Sequence, residues 1–191
     1  MKRLRYRGLK WQVIVLLWFN NGARVEALLD QLMTEFPRDD YALATRAHLL
    51  AQARDRQGAL ACLRTLVASF PDKAAHWFNL GFLLEELGQF EEAEPAFRRA
   101  TELDPKLDRA WYGLGLVLIR LERFDEAVGA LKQNTQLQPM SPYGWYQLAR
   151  VHVDRHDPDE ARKIIRHLKR FEPKVAAQLE RETGIFVPPA S

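Results

Sequence analysis

Five prolines recur along this chain at a constant interval of 34 residues: Pro37, Pro71, Pro105, Pro139 and Pro173. A tryptophan column keeps the same interval, at Trp77, Trp111 and Trp145. Internal periods of this length are typical of stacked helix pairs, and proline cannot continue a helix that precedes it. The period therefore predicts an all-α repeat protein. It also directs the search for function to a surface rather than to an enclosed active site.

Small and large apolar residues form further columns with the same period. The small column is Gly81, Gly115 and Ala149, and the large column is Phe97, Leu131 and Ile165. Small residues let two helices approach closely, and large residues fill the space around the contact. The columns therefore predict that the repeats are packed through pairs of small and large side chains.

Three middle units carry the most regular pattern, with a Trp-x-x-Leu-(Gly/Ala) start, an alanine in the second half and a proline near the end. They span 74–107, 108–141 and 142–175. In these units the chain resembles the tetratricopeptide repeat family, whose unit is a helix–turn–helix of 34 residues. The resemblance implies a right-handed superhelical solenoid of about five such repeats, closed by a C-terminal capping helix.

The same resemblance implies one continuous domain that is made of successive segments. Before the regular units we expect a basic N-terminal segment at 1–5, a degenerate first repeat with an unusually apolar helix at 6–39, and a second repeat at 40–73. After them we expect a capping helix at 176–184 that ends at Gly184, and a loose tail at 185–191.

The positive charge of the chain is concentrated at its N-terminus. The net charge is +3, but the first ten residues hold five basic residues and no acidic one, so the rest of the chain carries −2. A nucleic-acid-binding surface needs basic residues spread along one face. We therefore expect no nucleic-acid partner.

An apolar stretch, residues 11–19, follows this basic segment. It is too short for a transmembrane helix, which needs about 20 residues, and residues 20–24 make a poor signal-peptide cleavage site. As the first helix of the degenerate repeat it is apolar nearly all round, although an end helix has a neighbour on one side only. We expect a partner subunit, a second copy or a membrane interface to cover it; the alternative is that the second repeat and the N-terminal residues cover it.

The residues expected to make this N-terminal contact are Arg3, Arg5, Arg7, Trp11, Ile14 and Trp18. Contact with lipid would place the protein peripherally on the inner face of a membrane, and otherwise we expect it to be cytoplasmic.

The sequence holds no recognisable catalytic motif. His152 and His156 are four residues apart, a spacing that zinc sites use, but a third ligand is not evident and His152 falls in an interior column. The single cysteine, Cys62, allows no intrachain disulfide and is expected to be a buried small apolar residue. We therefore expect a non-enzyme without metal or cofactor.

The resemblance implies a concave groove lined by the second, fifth, ninth and twelfth positions of each first helix. In this chain those positions are rich in aromatic residues flanked by arginine, and the candidate partner-binding residues are Phe78, Phe82, Arg109, Tyr112, Leu116, Tyr143, Tyr146 and Arg150. Binding energy concentrates on aromatic and arginine side chains, and a long apolar patch rarely faces water without a ligand. An apolar or aromatic peptide is the expected occupant, unless the tail residues 185–187 fill the groove instead.

These features predict a non-catalytic scaffold, adaptor or assembly factor for a larger, membrane-associated complex. It would bind a protein partner through the groove and the apolar N-terminal helix, with self-association through that helix as one form of the contact. The alternative is a chaperone that shields an apolar segment of an export substrate or other client protein.

Overall fold

Two compact units, residues 1–80 and 81–191, make up the chain in the computed structural model. The structure describes residues 2–19, 22–37 and 39–188, which form eleven α-helices and no β-strand. The all-α fold class predicted from the period is therefore confirmed for this part of the chain. How the repeats divide the chain stays a prediction.

The first unit contains four helices and the first part of a fifth. These are α1 (Lys2–Trp18), α2 (Gly22–Glu35), α3 (Tyr41–Gln52), α4 (Arg56–Ser69) and the first part of α5 (Ala74–Glu86). Within the row from α1 to α4, each helix packs against the next one. One apolar cluster joins α1, α2 and α3, through Leu9, Val13, Val25, Leu29, Leu32 and Ala42. The basic residues 2–5 belong to α1, which continues without a break into the apolar stretch.

The second unit contains the rest of α5 and six further helices. These are α6 (Phe90–Leu103), α7 (Asp108–Arg120), α8 (Phe124–Leu137), α9 (Pro142–Asp154), α10 (Pro158–Leu168) and α11 (Pro173–Thr183). Each of the helices α6 to α11 packs against the next one, and α9 also contacts both α7 and α11. Alternate helices α7, α9 and α11 therefore lie side by side.

The tryptophan and proline columns meet in a repeated hydrogen bond. The indole N–H of Trp77, Trp111 and Trp145 donates to the carbonyl oxygen six residues earlier, at distances of 2.8, 2.9 and 2.9 Å. In each case the acceptor is the proline of the register, Pro71, Pro105 or Pro139. The carbonyl oxygen of each proline lies outside the helices and needs a hydrogen-bond donor. The indole N–H supplies that donor, and the bond connects the turn to the helix that follows it.

The small and large columns also meet, in the second unit. The ring of Phe97 on α6 lies against Gly81 on α5 and Gly113 on α7, and the side chain of Leu131 on α8 lies against Gly115. A Cβ atom added to Gly113 would lie 2.5 Å from Cζ of Phe97, closer than van der Waals contact allows. The packing through small and large pairs that the sequence predicts is therefore observed at these positions.

The turns inside the helix pairs use left-handed backbone at one repeated position. Arg54, Gly88, Glu122 and His156 have φ values of 64°, 73°, 58° and 57°, and they are 34 residues apart. At each turn the next residue donates its N–H back to a helix carbonyl, as Asp157 does to His152 at 2.8 Å. This pairing is the Schellman motif, which ends a helix by satisfying its last carbonyls. Glycine, the residue that adopts this conformation without strain, occupies one of the four positions.

Two helix ends have local causes in the sequence. The side chain of Asp157 accepts a hydrogen bond from the backbone N–H of Glu160 at the start of α10, as an aspartate at the N-cap does. Gly184 follows α11 with a φ of 69° and ends it, as expected of a glycine at that position.

A charged cluster connects α3 to α5 in the first unit. The carboxylate of Asp40, just before α3, accepts hydrogen bonds from Lys73 Nζ at 2.9 Å and His76 Nε2 at 2.8 Å. Burial alone would raise the pKa of Asp40, but the hydrogen bonds and positive charges of Lys73 and His76 outweigh it and hold the pKa below its usual value.

The packing of Phe97 predicts opposite effects for two glycine substitutions. Gly113→Ala should lower the free energy of unfolding by about 1–3 kcal/mol, because the new methyl group overlaps the Phe97 ring. Gly129→Ala, in the middle of α8 with no atom within 4 Å of the added Cβ, should raise it by about 0.5–1 kcal/mol through helix propensity. Urea unfolding followed by circular dichroism measures both. Equal effects of the two substitutions would contradict the packing argument.

The Asp40 cluster predicts a stability difference that depends on pH. Asp40→Asn should lower the free energy of unfolding by about 1 kcal/mol at neutral pH, because the charge-assisted bonds weaken. The pKa of Asp40 is lower in the folded chain than its unfolded value of about 3.9. The stabilisation is therefore complete above that value and is lost as the pH falls through the folded-state pKa.

Unfolding free energies of wild type and variant across the acid range test this dependence. Asp72→Asn, at an exposed neighbouring aspartate, is the control and should have little effect at any pH. A wild-type advantage that persists unchanged into strong acid would show that the Asp40 charge is not its source.

Candidate functional site

Seven of the eight predicted groove residues lie in the second unit. They are carried by α5, α7 and α9, and we call them the aromatic surface: Phe82, Arg109, Tyr112, Leu116, Tyr143, Tyr146 and Arg150. The eighth residue, Phe78, lies one turn earlier on α5, in the part of that helix that belongs to the first unit. The side-by-side packing of α7 and α9 positions six members of the aromatic surface on adjacent first helices.

The aromatic surface is accessible to solvent. Tyr143 is 71% exposed and Phe82 is 49% exposed, and both arginines are exposed as well. Tyr112, Leu116 and Tyr146 are half-buried, in contrast to the packing residue Phe97, which is fully buried. These side chains therefore lie at the surface and can contact a ligand without any rearrangement of the core.

Tyr112 sits where three helices contribute polar groups. Burial is the main reason that its pKa is raised; a hydrogen bond with Gln147 of α9 opposes the shift, and the negative charge of Glu85 on α5 adds to it. Tyr143 of α9 is a further electrostatic neighbour. The phenol therefore stays protonated at neutral pH and can donate a hydrogen bond at the centre of the aromatic surface.

Tyr146 and Arg150 are linked to the last helix. The Tyr146 hydroxyl donates to a carboxylate oxygen of Glu182 on α11, and Arg150 Nη1 donates to the Tyr146 oxygen at 3.3 Å. The Arg150 guanidinium also lies 3.6 Å from Glu182. The hydrogen bond from Tyr146 is the main reason that the pKa of Glu182 is lowered. This carboxylate was not predicted as a site residue. A signal for it exists, since Pro173 keeps the register and places α11 where another first helix would lie.

A polar cavity of about 310 Å³ adjoins the aromatic surface at the C-terminal ends of α5, α7 and α9. Its lining combines acidic, basic, amide and aliphatic side chains: Glu85, Leu116, Ile119, Arg120, Gln147, Arg150 and Asp154. Leu116 and Arg150 belong to both the cavity and the aromatic surface. The mixture of donors and acceptors can hold a polar side chain of a ligand. The sequence predicted Leu116 and Arg150 here but missed Arg120, Gln147 and Asp154.

The tail packs against the last two helices. Val187 is buried, its backbone N–H donates to Glu180 Oε1 at 2.6 Å, and its carbonyl oxygen accepts from Lys169 Nζ. Lys169 and Glu180 also form an ion pair at 2.7 Å. Residues 185–188 are therefore anchored through α11 and the end of α10, which differs from the expectation that they could fill the groove.

The predicted N-terminal contact residues lie along α1. Trp11, Ile14, Trp18, Arg3 and Arg7 are all exposed, while Arg5 pairs with Glu35 on α2 at 2.6 Å. The rest of the first unit therefore packs against one side of this helix and leaves the other side bare. Within the described residues, no helix combines the length and the apolar character that crossing a membrane requires.

The histidine pair does not form a metal-binding arrangement. His152 is buried and its Nδ1 lies 3.2 Å from Asp157 Oδ2, whereas His156 is exposed in the left-handed turn after α9. Burial is the main reason that the pKa of His152 is lowered, so the ring is neutral at pH 7. Among the described residues no group of three His, Cys, Asp or Glu side chains could hold a metal ion.

Cys62 is half-buried rather than fully buried. Burial is also the main reason that the pKa of its thiol is raised, which makes the thiolate scarce at neutral pH. The sequence predicted a buried small apolar residue here, and the structure shows a residue that is less enclosed than that.

Several solved structures share the fold of this chain at low sequence identity. YrrB, described as a tetratricopeptide repeat protein with an unusual peptide-binding site, is 18% identical with a TM-score of 0.76, and the match covers 88% of each chain. MamA from Desulfovibrio magneticus RS-1 is 19% identical with a TM-score of 0.73 over 93% of this chain and 96% of its own. A tetratricopeptide repeat protein from Parabacteroides merdae is 19% identical with a TM-score of 0.77, over 94% of this chain and 73% of its own.

The sequence comparisons point to one family. No curated protein matches the sequence. The tetratricopeptide repeat family matches residues 45–108 and 83–142, which together cover half of the chain and include the two regular units that contain Trp77 and Trp111. With the 34-residue register and the paired helices, this match shows that the chain belongs to the tetratricopeptide repeat family.

Proposed function

We propose that the protein is a non-catalytic scaffold that holds a partner protein on the aromatic surface and uses the exposed side of α1 as a second contact. Members of this repeat family bind protein or peptide partners and are generally not enzymes. The observation that carries the proposal is the exposure of Tyr143 next to the half-buried Tyr112, together with the exposure of Phe82 on α5. Large aromatic side chains held in this way are suited to contact an apolar segment of a partner.

The chemistry of the aromatic surface favours a peptide with apolar or aromatic side chains. Tyrosine offers a large, stiff contact area with little conformational entropy to lose on binding. The Tyr112 hydroxyl and the guanidinium groups of Arg109 and Arg150 would supply hydrogen bonds to carbonyl or carboxylate oxygens of the peptide. The adjoining cavity would accept one polar side chain. YrrB, which shares the fold, is described as having a peptide-binding site, and we extend this mode of binding to the present chain.

A scaffold with two separate contact surfaces would act as an adaptor or assembly factor. The aromatic surface would hold one component, and the bare side of α1 would attach the protein to a second component or to a membrane-associated complex. We propose a location in the cytoplasm, next to the inner face of a membrane.

Substitutions in exposed residues test the aromatic surface without disturbing the core. A peptide selected from a displayed random library on the full-length protein serves as the probe. Tyr143→Ala should weaken its binding about tenfold or more, as expected for removal of an aromatic anchor. Met140→Ala is the matched control, because Met140 is 68% exposed and lies in the turn before α9. Isothermal titration calorimetry measures both; equal affinity for wild type and Tyr143→Ala would argue against the proposal.

The lifetime of the natural complex distinguishes the scaffold hypothesis from the chaperone hypothesis. Capture of the full-length protein from its native cell, followed by size-exclusion chromatography, should give a stable complex of fixed stoichiometry. Transient capture of unfolded clients, released when they fold, would indicate a chaperone for export substrates instead.

A further inference from the structure

The bare side of α1 carries an apolar stripe that Arg7 and Gly8 interrupt. Leu4, Trp11, Val15 and Trp18 follow one another at steps of seven, four and three residues, so they lie on one face of the helix. Their exposed fractions include 75% for Leu4, 67% for Trp11 and 87% for Trp18. Leu9 and Val13, on the opposite face, are buried against α2 and α3. The helix α1 therefore has two apolar faces, and the rest of the first unit covers only the face that holds Leu9 and Val13.

The positive charges of α1 are partly unpaired. Arg5 bonds to Glu35, and Lys10 bonds to the Tyr6 hydroxyl at 2.8 Å and lies 3.8 Å from the centre of the Tyr41 ring. Within the described part of the chain, Lys2, Arg3 and Arg7 are exposed and form no ion pair. Residues 2–19 contain no acidic side chain. The bare face is therefore apolar from Trp11 to Trp18 and carries positive charge towards its N-terminal end.

We infer that this face of α1 lies on the surface of an anionic lipid bilayer. Charge complementarity selects this occupant, because lipid phosphates supply the negative charge that the helix lacks. A second copy would bring an α1 with the same basic residues and no acidic ones. The inference deepens one part of the proposed function, the N-terminal contact, and does not depend on the aromatic surface.

The geometry of α1 suits the plane of a membrane interface. A helix of 17 residues is about 25 Å long and would lie along the surface rather than across it. Trp11 and Trp18 have the amphipathic rings that prefer the headgroup level of a bilayer. Arg3 and Arg7 would reach the lipid phosphates while the stripe enters the acyl boundary.

Flotation of the full-length protein with lipid vesicles tests the inference. The protein should float with vesicles that contain phosphatidylglycerol and remain unbound with vesicles of phosphatidylcholine alone. Arg3→Gln with Arg7→Gln should reduce the partition coefficient about tenfold or more, through loss of attraction to anionic lipid. Trp11→Ser with Trp18→Ser should reduce it by a similar factor, through loss of buried apolar area. Added salt should weaken binding of the wild type.

Matched substitutions in the second unit serve as controls. Arg166→Gln with Arg170→Gln changes the net charge by the same amount at exposed positions, and Tyr143→Ser with Phe186→Ser removes two exposed aromatic rings. Both control proteins should float like the wild type, and the Tyr143 variant should at the same time lose the selected peptide. Failure of the membrane inference therefore leaves the peptide-binding result intact, and failure of peptide binding leaves flotation intact.

Three outcomes would overturn the inference. The first is the absence of flotation with either kind of vesicle. The second is an equal loss of binding in the α1 variants and the control variants. The third is a dimer in analytical ultracentrifugation that the tryptophan substitutions dissociate while vesicles have no effect, since a second copy would then be the occupant. The arginine variant keeps the test valid if the tryptophan variant fails to fold.

Discussion

The close approach of helices at glycine is the interaction on which the second unit depends. Phe97 can lie between α5 and α7 because Gly81 and Gly113 present no side chain to it, and Leu131 lies against Gly115 in the same way. These contacts fix the distance between neighbouring helices. Because α8 packs against both α7 and α9, and Gly144 of α9 lies against Asn134 of α8, Tyr112, Tyr143 and Gln147 come together at the surface. The aromatic surface is therefore a consequence of small residues in the packing layer beneath it.

The two proposed contacts differ in their physical character. The aromatic surface is held by packed helices and by hydrogen bonds such as Tyr146 to Glu182, so its side chains lose little freedom when a peptide binds. The bare side of α1 combines apolar area with charge and makes few directional bonds, which suits a partner that has no fixed shape. A scaffold that carries both could bind one component specifically and remain on a surface while doing so.

The periodic part of the structure could be predicted from the sequence, and the contacts between non-equivalent positions could not. The register placed Trp77, Trp111 and Trp145 at the start of the regular units, where they lie in α5, α7 and α9 and bond back to the prolines of the register. It also paired the small column with the large one, and Gly81 and Gly115 lie against Phe97 and Leu131. Glu182, Gln147 and Asp154 near the site were missed, because their roles depend on which helices lie side by side and on how far each side chain reaches. The binding function of the groove residues remains a prediction, although the structure shows seven of them exposed or half-buried on three helices.

The left-handed turns give the repeat a graded resistance to local opening. Gly88 adopts its positive φ without a Cβ clash, whereas Arg54, Glu122 and His156 each adopt the same conformation at a cost of about 1 kcal/mol. Each of these residues joins the two helices of one pair, so the strain is released when that pair separates. The helix pairs closed by Arg54, Glu122 and His156 should therefore exchange their turn amides with solvent sooner than the pair closed by Gly88. The helix pair closed by Gly88 should therefore be the one that opens last at its turn.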